Sequence, residues 1–372
     1  MIDFFQLATP GVQGLQPYQP GKPIEELERE YGIKNAIKLA SNENPRGPSP
    51  LVLSALQTNL TNITRYPDGN GFTLKKALAQ KLPIDMDTIT LGNGSNDVLE
   101  LIARTFVTSA HSIIFSEYAF AMYPLITQAI GAKAIVTKAK NWGHDLAAML
   151  AAIDKDTRLI FIANPNNPTG TWINKTTLKT FLEAVPEHIL VVVDEAYFEY
   201  AVLEPNYPNS LEWTPEYSNL IVARTFSKAY GLAGLRVGYS ISHPDVANLL
   251  NQVRQPFNVN YLALVAAETA LSDSEYLEQS VASNHAGMQQ LTQAFEKMGL
   301  QYIDSVCNFV TVNVGNGAKI YERLLCQGVI TRPLGNMPQY LRVSIGTHTE
   351  NEQFIAALGK AFNFVNGESF HE

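Results

Sequence analysis

An α/β architecture is predicted: a large, mainly parallel-sheet α/β domain followed by a smaller α+β domain. Three observations predict it. Short continuous apolar runs recur at Ser112–Phe115, Leu159–Ile162, Ile189–Val193 and Leu220–Ala223. Such runs suit strands buried on both faces of a sheet that helices cover. Helix-period stripes alternate with strand signals, as at Val98, Leu99, Ile102, Ala103 and Phe106 ahead of the first of these runs. After Pro244 the pattern changes to long helices and then to two or three strands.

Taken in order, the first 47 residues carry Pro10, Pro17, Pro20, Pro23 and Pro45 among several glycines. They read as an extended arm with one short helix near Ile24 to Tyr31. An arm of this kind is poorly stable alone, so residues 1–47 are expected to pack with the small domain and a partner subunit. A helix pattern begins at Ser49, and the large domain is expected over 48–255. Thr88–Leu91 is a strand signal that leads through Gly92-Asn93-Gly94 into a helix over 95–106. The small domain is expected over 256–372. Its helices run to about residue 298, and strands follow near Asn308–Val314, Val329–Arg332 and Tyr340–Ile345. A last helix is expected from Thr349, with Thr349 and Glu352 as its capping box.

Composition sets limits. At 372 residues the chain exceeds one average domain, and a hydrophobic fraction of 46% excludes global disorder. The charged fraction, 17%, is low, which fits surface buried between domains or subunits. A net charge of −8 without a Lys or Arg run argues against nucleic-acid and anionic-membrane partners. Cys307 and Cys326 are too few for a disulfide framework and read as reduced thiols. His111, His144, His188, His243, His285, His348 and His371 show no metal-ligand spacing, so no metal site is expected. The start, MIDFFQLATP, has no basic segment before an apolar stretch, and no stretch of 18 apolar residues occurs. Neither a secretory leader nor a membrane span is expected, and a cytoplasmic location is the default.

Four segments carry chemistry, each at the C-terminal end of an expected strand. Gly92-Asn93-Gly94-Ser95-Asn96 opens a helix, where free backbone N–H groups and the positive dipole end suit a phosphate. Asp97 would repel that phosphate, so it is expected to point away. Asn164-Pro165-Asn166-Asn167-Pro168-Thr169-Gly170 reads either as a surface loop or as a rigid turn presenting an amide to a ligand. Asp194-Glu195-Ala196-Tyr197 ends the most apolar strand, and a carboxylate there needs a cationic or hydrogen-bonding partner. Glu195 reads as structural. Thr225-Phe226-Ser227-Lys228 places an amine beside hydroxyls, although Lys228 taken alone reads as one more surface lysine. Together the segments supply a phosphate cradle, a buried acid, a tyrosine and an amine. A pyridoxal phosphate enzyme needs that set: the amine holds the aldehyde, and the acid keeps the pyridine nitrogen protonated.

On NPNNPTG at 164–170, DEAY at 194–197 and SKAYGLAGLR at 227–236, the sequence resembles the fold type I, aspartate-aminotransferase-like enzymes over essentially its whole length. Within them it is most similar to the histidinol-phosphate aminotransferases, through LQPYQPGKP around Tyr18, LASNENPRGP at 39–48, RYPDGNG at 65–71 and YLRVSIGT at 340–347. The resemblance implies pyridoxal 5′-phosphate as cofactor and a homodimer. It implies that Lys228 carries the Schiff-base amine and moves the proton, that Asp194 pairs with the pyridine N–H, and that Tyr197 and Asn167 bond the ring oxygen O3′. Ser95, Asn96, Thr225, Ser227 and Arg236 would hold the phosphate, with Tyr66 reaching it from the other subunit. Phe120, where the family often has tyrosine, would stack on the ring. Arg342, with Arg332 and Tyr18 nearby, would bind the substrate anions. The implied reaction is L-histidinol phosphate plus 2-oxoglutarate giving imidazole acetol phosphate plus glutamate. An aromatic amino-acid aminotransferase and a phosphothreonine decarboxylase share the pattern. A cofactor-binding regulator is disfavoured, since no DNA-binding region is appended and the net charge is −8.

Overall fold

The apolar runs become the middle of a seven-stranded sheet in the computed structural model, which describes residues 2–363. Met1 and residues 364–372, His371 and the expected end of the small domain included, lie outside the described residues. The strands are β1 (Ile37–Lys38), β2 (Ile89–Gly92), β3 (Ser112–Ser116), β4 (Lys133–Thr137), β5 (Thr157–Ala163), β6 (Leu190–Asp194) and β7 (Leu220–Thr225). They continue with β8 (Gly238–Ile241), β9 (Tyr302–Ile303), β10 (Phe309–Asn313), β11 (Val329–Ile330), β12 (Arg332–Pro333) and β13 (Tyr340–Ser344). The large sheet has the order β2-β8-β7-β6-β5-β3-β4. Strands β7, β6, β5, β3 and β4 are parallel, and β8 runs antiparallel to both β7 and β2. All C-terminal ends except that of β8 therefore share one edge.

Period-two alternation explains why these runs are apolar throughout. Leu190 and Val192 enter one core with Phe161, Ile221 and the helix Ser95–Phe106, whereas Val191 and Val193 enter the opposite core with Ile160, Leu178 and Phe181. Full burial of such a side chain is worth about 1.5–3 kcal/mol. The parallel register pairs Ala163 with Asp194 and Asp194 with Ala223, so Asp194 sits at the middle of the shared edge.

Two strands escape the apolar-run criterion for physical reasons. β4 is an edge strand with mostly exposed side chains, Val136 at 53% among them. β8 mixes Gly238 and Ser240 with Tyr239 and Ile241. The division at 255/256 is also corrected. Helix Tyr261–Ser272 packs into the large core, with Val259, Ala263, Leu264 and Ala267 against Ile89, Leu91 and Val237. The smaller core begins beyond it, where Leu291 and Phe295 of the helix Ser274–Lys297 meet β10, β13 and Phe354. In the antiparallel sheet β12-β13-β10-β9, β9 was not expected. The last helix, His348–Asn363, starts earlier than expected. Its capping box is Thr347 with Glu350: Glu350 N–H donates to Thr347 Oγ1 (3.2 Å), and Thr347 N–H to Glu350 Oε2 (2.8 Å).

Within the arm, β1 pairs parallel with β11, and Leu39 is buried in the smaller core. The next residues lead directly under the sheet edge.

Candidate active site

Loops after β2, β5, β6 and β7 converge on one crevice, closed on the far side by the arm and β13. Every residue for which the resemblance implied a cofactor or substrate role lines it except Tyr66 and Arg332. Arg332 lines an adjoining cavity that also touches Tyr18, Phe120, Asn167 and Arg342. Tyr66 is 82% exposed and stacks on Phe257, with ring centroids 4.7 Å apart, outside its own crevice.

An anion cradle forms at one end. Helix Ser95–Phe106 starts at Gly94, which offers no capping side chain, so its first N–H groups stay open. Gly94 has φ +85°, and a Cβ there would lie 2.4 Å from Arg236 Nη2. A Cβ on Gly238 would lie 2.5 Å from the Ser95 nitrogen. Glycine at both positions lets guanidinium, strand and helix start come together. Arg236 Nη1 donates to Ser227 Oγ (3.4 Å), and Ser227 N–H to Thr225 Oγ1 (3.1 Å). Asp97 turns away, accepting from Asn93 N–H (2.8 Å) and Asn258 Nδ2 (3.0 Å).

The acid and the amine occupy the centre. Asp194 is buried, Tyr123 donates its hydroxyl to Oδ2 (3.1 Å), and Oδ1 has no partner among the described residues. Burial pushes the carboxyl up to about 6, while the Tyr123 bond and the Ala196 N–H pull the other way. Lys228 Nζ donates to the Ser41 carbonyl (3.1 Å). Burial pushes its ammonium down to about 8, and the Arg342 charge adds to the effect. Tyr197 accepts from Asn42 Nδ2 (2.9 Å). A phenol has one proton, and the amide occupies an acceptor site, so that proton stays free to be donated elsewhere.

Two cations lie at the other end. Arg342 Nη1 donates to Asn167 Oδ1 and Nη2 to the Ala40 carbonyl, both at 2.6 Å, while Nε has no partner among the described residues. Arg332 is the direct cross-strand partner of Arg342, and its guanidinium lies 5.5 Å from the Tyr18 ring centre. Like charges directly opposite each other are unfavourable without an anion between them. Behind the crevice, Arg224 Nε and Nη2 both donate to Glu195 Oε2 in a buried ion pair (2.9 and 2.7 Å), and Oε1 accepts from Ser210 N–H, a structural placement.

The sequence model of the aminotransferase class I and II family matches residues 34–358. The chain belongs to the class I and II aminotransferases. Histidinol-phosphate aminotransferase 1 of Nitrosococcus oceani is 58% identical over 358 residues, which span 95% of this chain and 96% of that one. Histidinol-phosphate aminotransferase 2 of Pseudomonas fluorescens strain Pf-5 is 56% identical over 363 residues, spanning 96% and 98%. The solved histidinol-phosphate aminotransferase of Sinorhizobium meliloti, in complex with pyridoxal-5′-phosphate, shares the fold with a TM-score of 0.89 and 31% identity, covering 96% of this chain and 98% of that one. For this aminotransferase, three polar residues that hold the site together had no assigned role in the sequence: Ser41 and Asn42, which line the crevice, and Tyr123, buried behind it. Ser41 and Asn42 stand inside the LASNENPRGP motif, but their partners are far along the chain. Nothing local marks Tyr123, which reads as one more core position of its helix.

Among the described residues no three His, Cys, Asp or Glu side chains gather into a metal site, and no helix is long and apolar enough to cross a membrane.

Proposed function

We propose that this aminotransferase moves the amino group of L-histidinol phosphate to 2-oxoglutarate, giving imidazole acetol phosphate and L-glutamate, a step of histidine biosynthesis. Its cofactor is pyridoxal 5′-phosphate, and it works as a homodimer. The observation that carries the reading is the amine of Lys228 and the partnerless oxygen of Asp194 facing one crevice between an anion cradle and an arginine pair.

The residues present fit the cofactor. Ser95, Asn96, Thr225, Ser227 and Arg236 would hold its phosphate through backbone N–H groups, hydroxyls and a guanidinium. Asp194 Oδ1 would accept the pyridinium N–H, Tyr197 and Asn167 would donate to the ring oxygen O3′, and Phe120 would offer a stacking face. When bound, the cofactor supplies a carbonyl that exchanges amines and a ring that takes up the electron pair left as the substrate's α proton departs.

The chain's own work is binding and proton transfer. Lys228 Nζ, with its affinity for a proton lowered by burial, takes the α proton as base and would then, as acid, deliver it to the cofactor's aldehyde carbon rather than to the carbon it left. Asp194, kept ionised, holds a positive charge opposite it. Arg342 binds the phosphate of histidinol phosphate in one half of the cycle and the α-carboxylate of glutamate in the other, with Arg332 and Tyr18 beside it. The test is the amine-donor profile of purified protein with 2-oxoglutarate. Histidinol phosphate is expected to give the highest kcat/KM. A higher value with phenylalanine, or carbon dioxide release from phosphothreonine at a higher kcat/KM, would replace this reading by an aromatic aminotransferase or a decarboxylase.

A further inference from the structure

We propose that Tyr123 is a positioning residue for the catalytic carboxylate: its phenol anchors Asp194 Oδ2 and thereby presents Oδ1, ionised, to the crevice. This rests on the reading of Asp194 as the partner of the cofactor's ring nitrogen.

The geometry carries the assignment. Tyr123 belongs to the helix Met122–Ile130 and is completely buried. Its ring lies flat on Phe161 of β5, with centroids 4.5 Å apart and planes at 5°. Phe120 meets it edge-on at 5.8 Å and 90°. These two contacts fix the ring plane, and the hydroxyl it carries donates to Asp194 Oδ2 at 3.1 Å. The other oxygen is buried and has no partner among the described residues. A buried carboxylate oxygen left open is costly unless a donor arrives from outside the chain. One oxygen is thus tied to the protein and the other reserved for a ligand. The same turn of chain sets both the acid, through Tyr123, and the ring face, through Phe120.

The other groups facing the carboxylate cannot do this. Glu195 turns to Arg224, Tyr197 accepts from Asn42, and Lys228 donates to Ser41. The Ala196 N–H favours the ionised form but belongs to the same turn of backbone. Burial raises the Tyr123 phenol well above its usual range, so it stays protonated and remains a donor. A donor bond to the ionised form favours it, against burial, which favours the neutral acid.

Tyr123→Phe in the holoenzyme removes the hydroxyl and keeps the ring stack. Its kcat against pH, KM for histidinol phosphate and thermal midpoint are measured beside Asp194→Asn. The expected result for Tyr123→Phe is a kcat at neutral pH lower by about tenfold or more, since a bond to a charged group is lost. KM and thermal midpoint stay near wild type. The acid limb of the kcat profile moves to higher pH, because the carboxylate then protonates more readily. Asp194→Asn collapses kcat. A Tyr123→Phe enzyme with wild-type kcat and acid limb, while Asp194→Asn is dead, overturns the positioning role and leaves the proposed function standing. A lower kcat with an unmoved acid limb and a reduced thermal midpoint overturns it too, as a merely structural effect. A fully active Asp194→Asn enzyme overturns the reading beneath both.

Discussion

Lys228 owes its chemistry to its surroundings, since a solvated lysine keeps its proton at any physiological pH. Burial and the Arg342 guanidinium bring its ammonium from 10.5 down to about 8. Only the neutral amine attacks a carbonyl, so capture follows the deprotonated fraction, which grows as pH rises through that value. Apoprotein mixed with pyridoxal phosphate and trapped with borohydride is therefore predicted to label Lys228 with a pH midpoint near 8 rather than 10.5. Arg342→Ala removes a neighbouring positive charge and is predicted to move the midpoint up; an unmoved midpoint would deny the coupling. At this scale the sequence shows residues but not partners. Lys228, Asp194 and Asn167 stand in strand-end motifs and are legible. Tyr123 and Asn42 are not, because their partners Asp194 and Tyr197 lie 71 and 155 residues away.

Among the elements, strand-to-helix turns do the placing. The turn after β2 works because Gly94 has no Cβ and takes a positive φ, which brings Arg236 against the helix start. Gly94→Ala is predicted to push Arg236 aside and to weaken pyridoxal phosphate by about tenfold or more, the loss of one charge-assisted contact. Titration of the apoprotein checks it, and wild-type affinity would remove Arg236 from the cradle. The arm segment Ala40-Ser41-Asn42 is a second placing element, holding Arg342, Lys228 and Tyr197 through three consecutive residues. The buried strands were legible because a short, continuous apolar run bounded by turn residues suits a strand covered on both faces. β4 and β8 were not, since an exposed edge strand and a glycine-containing antiparallel one lack that signature. The last capping box slipped because Thr347 and Thr349 both precede a glutamate by three residues, and only the helix start decides between them.

For the whole molecule, the sequence signalled two units but placed their division ahead of the helix Tyr261–Ser272, which is apolar along most of its length and so carries no sign of which core it enters. Tyr66 raises the larger question. It is exposed on its own chain and stacked on Phe257, while Phe4 and Phe5 of the arm are 74% and 83% exposed. In the proposed homodimer each site combines Lys228 of one chain with the partner subunit's Tyr66. A Lys228→Ala chain paired with a Tyr66→Ala chain then makes one doubly damaged site and one intact site. Mixing two impaired homodimers is predicted to restore activity towards half of wild type per heterodimer. No recovery in demonstrated heterodimers, with the Tyr66→Ala homodimer clearly impaired, would place Tyr66 in its own subunit's chemistry. The central claim, that the crevice around Lys228 takes the amino group from histidinol phosphate, is tested most directly by the isolated half-reaction. Holoenzyme mixed with L-histidinol phosphate, without a keto acid, is predicted to yield a single equivalent of imidazole acetol phosphate per subunit and then stop, and the Lys228→Ala protein none. No product from the wild-type protein, or an equal yield from the Lys228→Ala protein at a similar rate, would contradict it.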